Sequence, residues 1–134
     1  MWDATRDVLW ALGGTELRTY RRKGVGFERA ETFTLPDDGG HDLREVPGTS
    51  KLILTTNPSA WFFDRDAKTF EKARVFAGIE KVKSVDIHPG TGRIAYVKAE
   101  TSHYADVVRL LSPPGEVRVP GAALYKARWL PSAE

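Results

Sequence analysis

The hydrophobic positions of the chain fall in short runs that polar and turn-forming residues separate. Three such runs are 52–55 (LILT), 60–64 (AWFFD) and 105–110 (ADVVRL), and they are rich in β-branched and aromatic residues. Pro-Gly, Gly-Gly, Asn-Pro and Pro-Pro-Gly sequences lie between the runs. No segment shows sustained apolar spacing at 3.6 residues, so the pattern predicts β-strands joined by tight turns.

The runs recur at a spacing of 42 residues. Segment 41–56 (HDLREVPGTSKLILTT) aligns without a gap with segment 83–98 (KSVDIHPGTGRIAYVK), and Pro47, Pro89 and Pro131 share one repeat position. Four strands per unit at this period are typical of a β-propeller blade. An antiparallel sandwich, which also has many short strands, is the alternative. The repeated Pro-Gly-Thr turn favours blades.

The repeat divides the chain into one half-propeller domain, 1–134, with three units. We expect the units at about 1–38, 41–79 and 83–121, with four strands in the second and third units and only the second to fourth strands in the first. Their expected last strands are 32–36, 74–78 and 117–121. The fold class predicted is therefore all-β, a propeller with three four-stranded blades per chain.

The expected innermost strands are 41–46, 83–88 and 125–130. The first unit starts at Trp2-Asp3, just after the innermost position, and no second strand follows 125–130. A strand and a blade edge without neighbours leave backbone groups unpaired. We therefore expect a homodimer with six blades, in which strand 125–130 of each chain closes the first blade of the other.

Composition narrows the function classes. The 134 residues contain 20 Lys and Arg against 18 Asp and Glu, and no Cys. Disulfides and zinc–thiolate sites are thereby excluded, and the basic run 18–23 (RTYRRK) is short and interrupted, so we expect no nucleic-acid partner. No apolar stretch has the length of a membrane span, and the first residues lack the pattern of a signal peptide.

Several segments together resemble the C-terminal half of a bacterial β-propeller domain of uncharacterised function. The most specific are Gly40-His41-Asp42-Leu43 and Tyr125-Lys126-Ala127-Arg128-Trp129. The resemblance covers essentially the whole chain, and it implies a ring of six or so blades in secreted or cell-surface proteins about twice as long. It implies no established reaction. The chain lacks the N-terminal half of that domain, so we expect a truncated or engineered half-propeller, or a natural half-length protein.

In a propeller, two sets of loops share the face at which ligands usually bind. We predict a ligand-binding channel mouth there, formed by polar residues that precede or begin the innermost strands and by residues of the loops between second and third strands. The candidates are His41, Asp42, Lys83, Tyr125, Lys126, Asn57, Glu100 and His103. His41, Lys83 and Tyr125 share one repeat position, so they should lie at one height around the channel.

Two functions remain open at this point. The first is a non-enzymatic scaffold or binding module for a carbohydrate or another small polar molecule, with no cofactor and no metal. The alternative is a metal-dependent hydrolase or lactonase of six-bladed type, which would use acidic and His side chains such as Asp42, Asp86 and His88. Arg44 and Arg128 on the same strands would repel a cation, which favours binding. A bond from His41 to a neighbouring strand is the structural alternative for that residue.

Overall fold

A computed structural model describes residues 1–130 and shows an all-β chain. Twelve strands form three four-stranded antiparallel sheets, each built from strands consecutive in sequence. Apart from a single 3-10 turn at Arg74–Phe76, this described part of the chain contains no helix. The predicted fold class is confirmed at this level, and the three sheets follow one another as blades do.

The strands of each sheet are joined as successive hairpins. The first sheet contains β1 (Trp2–Asp3), β2 (Val8–Leu12), β3 (Glu16–Lys23) and β4 (Gly26–Thr34). The second contains β5 (Asp42–Glu45), β6 (Lys51–Thr55), β7 (Ala60–Asp64) and β8 (Thr69–Lys72). The third contains β9 (Val82–Ile87), β10 (Ile94–Lys98), β11 (Val107–Leu111) and β12 (Gly115–Arg118).

The second and third sheets share the register of their first two strands. Asp42 pairs with Thr55 between β5 and β6, and Ser84 pairs with Val97 between β9 and β10. Both residues of the second pair lie 42 positions after those of the first, the spacing found in the sequence. Because side chains alternate across a strand, equal register gives the two sheets equivalent faces.

Two apolar layers lie between the sheets. Val8, Trp10 and Leu17 of the first sheet pack against Leu52, Leu54 and Phe63 of the second. The opposite face of the second sheet, with Ile53 and Ala60, packs against Val85, Ile94 and Tyr96 of the third. Each of these layers removes apolar side chains from water, which is the main stabilising term of such a stack.

The alternating pattern predicts that five apolar strand positions, Leu9, Leu52, Leu54, Ile94 and Tyr96, pack between sheets, and four of them are buried there. Leu52 and Leu54 are 0% exposed, Tyr96 is 6% and Ile94 is 7% exposed. Leu9, the fifth, is only half-buried, because no sheet covers its side of β2 among the described residues. The distinction matters for assembly, since Leu9 faces away from the second sheet.

Three details of the expected strands are wrong. The first sheet does have an innermost strand, the two-residue β1, which pairs with Val8 and Leu9. Segment 74–78 is not a strand: the fourth strand of its unit is β8, and a 3-10 turn follows. Segment 125–130 carries no regular strand within the chain. Pro131, the third repeated proline, lies outside the described residues.

Replacing Leu52 with alanine should lower the free energy of unfolding by about 2–5 kcal/mol, because Leu52 is fully buried between two sheets. The matched control is Val25→Ala, since Val25 is fully exposed at a hairpin tip and should change stability by less than about 0.5 kcal/mol. Urea unfolding followed by tryptophan fluorescence measures both. Equal losses in the two variants would contradict the packing described above.

Candidate functional site

The innermost segments lie side by side through hydrogen bonds from backbone to side chain. The Val85 N–H donates to Asp42 at 2.9 Å, and the N–H groups of Ala127 and Trp129 donate to Ser84 and Asp86 at 3.1 and 2.8 Å. In all three pairs the donor lies 43 residues after the acceptor. Segment 125–130 therefore follows β9 in the same way as β9 follows β5.

Two buried carboxylates anchor this arrangement. Asp42, 4% exposed, accepts hydrogen bonds from Arg128 at 2.8 Å and from Lys126 at 3.2 Å. Asp86, also 4% exposed, accepts one from Arg44 at 2.9 Å. A buried charge requires such partners. Asp42 and Lys126, predicted as ligand contacts, thus lie in a charged network that holds three innermost segments together.

His41 joins two sheets at one end of these segments. Its Nε2 lies 2.7 Å from Oδ1 of Asn57, which follows β6, and 2.8 Å from Nζ of Lys83 on β9. His41 and Lys83, which share one repeat position, are therefore direct neighbours. The contact with Lys83 also bridges to a neighbouring strand, which is what the structural alternative for His41 expects.

A cleft opens beside this cluster, and we call it the mouth cleft. Its volume is about 370 Å³, and it lies where the loop before β9 meets the loops after β6 and β10. The lining residues are Asn57, Pro58, Glu80, Lys81, Lys83, Ala99, Ser102 and His103. Three of the predicted site residues, Asn57, Lys83 and His103, line this cleft, and a fourth, His41, touches two of them.

The remaining predicted residues lie elsewhere. Glu100 forms an ion pair with Arg109, and this bond lowers the pKa of the Glu100 carboxyl. Tyr125 packs edge-on against Tyr104, with ring centroids 6.1 Å apart. Tyr104 directly follows His103 of the mouth cleft, so this aromatic pair is adjacent in sequence to the cleft lining.

Lys83 has the most unusual environment in the cleft. The residue is 5% exposed although lysine normally keeps its ammonium group in water. Burial, and then the nearby charge of Lys81, lowers the pKa of Lys83. A lysine in this position has a larger neutral fraction near pH 7 than an exposed lysine has.

The sequence patterns did not indicate the whole cleft lining, because they did not single out Glu80, Lys81 and Ser102. The side chains of these residues form no hydrogen bond or ion pair with any residue of the described range 1–130. Their positions in the loops before β9 and after β10 were the available signal. Free polar groups around a concave surface are the usual composition of a small-molecule site.

A larger cavity lies at the opposite end of the innermost segments. It measures about 830 Å³ and is lined by the turns after β1, β5 and β9, together with Met1, Trp129 and Leu130. Its charged groups already have partners: Arg44 binds Asp86, and Arg65 binds Asp3 and Glu45. The mouth cleft is smaller, but its polar groups are available to a ligand.

Comparison with family models, curated proteins and solved structures gives no significant match. The resemblance to a bacterial propeller domain therefore stays a prediction. Within residues 1–130, no three His, Cys, Asp or Glu side chains are grouped closely enough to hold a metal ion. In the same range, no helix has the length and apolar character to cross a membrane.

Proposed function

We propose that the chain is a non-enzymatic binding module whose three sheets are propeller blades and whose ligand site is the mouth cleft. The observation that carries this proposal is the cleft itself, in which free polar side chains from the loops before β9 and after β10, together with Asn57, surround the buried Lys83. Its volume of about 370 Å³ falls within the range of about 300–1,000 Å³ that small-molecule sites occupy.

The lining favours a carbohydrate or a similar polyhydroxylated molecule. Asn57, Glu80, Ser102 and His103 offer both donors and acceptors, which match hydroxyl groups that donate and accept. Tyr104, next to His103, is 45% exposed and can present an aromatic face to the apolar side of a sugar ring. A strongly anionic or purely apolar ligand would leave part of this lining unpaired.

The metal-dependent alternative has less support. Its main acidic candidates were Asp42 and Asp86. Their carboxylate oxygens already accept hydrogen bonds from Arg128, Lys126, Arg44 and two backbone N–H groups. A metal ion would have to displace these partners and approach several cations. The same network instead explains why these carboxylates are buried.

The blade assignment rests on how the faces of the sheets correspond. Leu9 pairs with Tyr20 in the first sheet, and Leu52 pairs with Phe63 in the second, 43 positions later. Leu52 and Phe63 are 0% exposed because the first sheet covers them. Leu9 and Tyr20 are only half-buried. The first sheet therefore presents the face that a preceding blade would cover.

The third sheet presents the complementary face. Ile53 and Phe62 pair in the second sheet and contact the third sheet. Ala95 and Leu110 are the corresponding pair in the third sheet. Ala95 is 5% exposed and Leu110 is half-buried, so the chain itself covers only part of this face. Two copies of the chain, each covering the free first face of the other with its own third sheet, would form a ring of six blades. We propose this homodimer as the functional form.

A titration with a non-reducing sugar tests the ligand site. Methyl β-D-glucopyranoside, added to the isotopically labelled chain, should shift backbone NMR signals of Asn57, Ser102 and His103. His103→Ala should weaken binding about 10-fold, the effect of losing roughly 1.4 kcal/mol. Thr5→Ala is the control, because Thr5 lines the opposite cavity. Equal weakening in both variants, or shifts spread evenly over the chain, would contradict the site.

A further inference from the structure

The hydrogen-bonding pattern around His41 is compatible with a neutral Lys83 amine. Nε2 of His41 faces two polar atoms, Oδ1 of Asn57 at 2.7 Å and Nζ of Lys83 at 2.8 Å. Oδ1 is only an acceptor, so Nε2 must carry a hydrogen and donate it. An ammonium group has no lone pair, and it would then direct its own hydrogens toward the Nε2–H.

A neutral amine is compatible with this arrangement, because its lone pair can share the single Nε2–H with Oδ1. With the Asn57 amide turned, its NH₂ group and an ammonium would instead share the one lone pair on Nε2. Burial also favours the neutral form, because an uncharged amine loses less hydration than an ammonium. The geometry and the burial of Lys83 thus agree.

Lysine amines become nucleophiles when they are desolvated or placed beside another cationic group. Lys83 satisfies both conditions: it is 5% exposed, and Lys81 lies beside it in the mouth cleft. The burial and the neighbouring Lys81 charge lower the pKa of Lys83 in the same direction. The cleft that Lys83 lines has a volume of about 370 Å³, which is room for a small carbonyl compound.

We propose that Lys83 is a reversible covalent attachment point for an aldehyde, such as the open-chain form of a reducing sugar. The Nζ lone pair forms a bond to the carbonyl carbon, and one N–H proton passes to the carbonyl oxygen. The second N–H proton then leaves with that hydroxyl as water, and a C=N bond remains. The step consumes no oxidant or reductant. This inference rests on the ligand site proposed above and specifies how a ligand is held there.

The test is reductive trapping on the intact chain. D-glyceraldehyde and sodium cyanoborohydride are added at pH 7, and the modified lysines are located by peptide mass spectrometry at low conversion. Lys83 should be modified about 10-fold faster than the exposed Lys81, which precedes it by two residues. Ordinary accessibility predicts the reverse order, so modification of Lys83 at or below the rate of Lys81 overturns the proposal.

Two variants and a pH series sharpen the result. Lys23→Arg, at an exposed site outside the cleft, should leave Lys83 modification in place. Lys83→Arg should abolish the fast phase, with circular dichroism confirming that both variants are folded. The rate should level off at a lower pH than for Lys51, the first residue of β6, whose side chain is 39% exposed and pairs with Glu71. His41, Glu80, Lys81 and His103 are the titratable groups that surround the amine. A Lys83 profile matching that of Lys51 overturns the proposal.

The outcome is separable from that of the sugar titration, because a methyl glycoside has no free aldehyde. Binding of the glycoside without selective trapping at Lys83 rejects covalent attachment and keeps the binding module. Selective trapping without glycoside binding keeps the reactive amine and rejects the carbohydrate site.

Discussion

Replacing Arg65 with alanine should lower the free energy of unfolding by about 3–5 kcal/mol, the cost of removing one partner from a buried ion pair. The Arg65 side chain is 4% exposed, and its guanidinium lies 2.9 Å from Asp3, whose side chain is 3% exposed. It also donates to the carbonyl oxygens of Ser50 and Thr49 and to Glu45. Alanine would leave Asp3 and two turn carbonyls without these bonds.

The matched control is Arg118→Ala. Arg118 also pairs with an aspartate, Asp106 at 2.8 Å, but its side chain is 52% exposed. Exposed pairs contribute about 0–1 kcal/mol, so this variant should unfold almost as the parent does. Urea denaturation of both variants provides the comparison. A loss below 1 kcal/mol for Arg65→Ala would contradict the assignment of a buried pair.

The same contact should be visible in acid. Burial disfavours the charged form of Asp3, but the Arg6 N–H, the Trp10 indole N–H and Arg65 outweigh burial and lower the pKa of Asp3. A carboxyl with a lowered folded-state pKa stabilises the fold above its unfolded value of about 3.9, and the contribution disappears as pH falls through the folded value. Without Arg65 the lowering is smaller, so the acid transition should move to higher pH.

The sheets could be predicted from sequence because the signals that specify them are local. Segment 41–56 and segment 83–98 carry the same alternation and the same Pro-Gly-Thr turn, and the structure places their strands in the same register. The β1 strand could not be predicted in this way. It has only two residues, and its pairing depends on β2 rather than on any apolar run of its own.

The sequence predicted the locations of several site residues better than it predicted their hydrogen-bond partners. Shared repeat positions placed His41 and Lys83 together, and the loop after β6 contributed Asn57. The partners of Asp42 were not visible in the sequence, because Lys126 and Arg128 follow it by 84 and 86 residues. The sequence also did not show that the Glu100 side chain pairs with Arg109 of its own hairpin and does not line the cleft. Such choices depend on packing between sheets.

The mouth cleft and the larger cavity make different demands on assembly. The mouth cleft is formed within one chain, from loops of the second and third sheets. The cavity of about 830 Å³ at the other end is bordered by Met1 of the first sheet and by Trp129 and Leu130. In the proposed ring, a second copy would complete this cavity. Ligand binding and ring formation should consequently be separable by mutation.

The purified chain should have twice the mass of one chain in light scattering at micromolar concentration. Segment 125–130 follows β9 as an innermost strand would, yet it pairs with no strand among the described residues. Leu124 and, within the segment, Ala127 pack on the third sheet. In the first sheet, Leu9 and Tyr20 are only half-buried. A second copy provides a partner for both features, because the third sheet and segment 125–130 of one chain can cover the first sheet of the other.

A charge placed on the uncovered face should break this dimer. Ala11 pairs with Arg18 in the first sheet as Leu54 pairs with Trp61 in the second, so Ala11 and Leu54 hold equivalent positions. Leu54 is 0% exposed because the first sheet covers it. Ala11→Arg should therefore give single chains at micromolar concentration, because an unpaired arginine cannot be buried at the interface. Ala67→Arg, in an exposed turn, should stay dimeric. Deleting residues 124–134 should also abolish the dimer, together with most of the stability. A well-folded monomer of the unaltered chain would contradict the ring, since it would show that the two free faces need no partner.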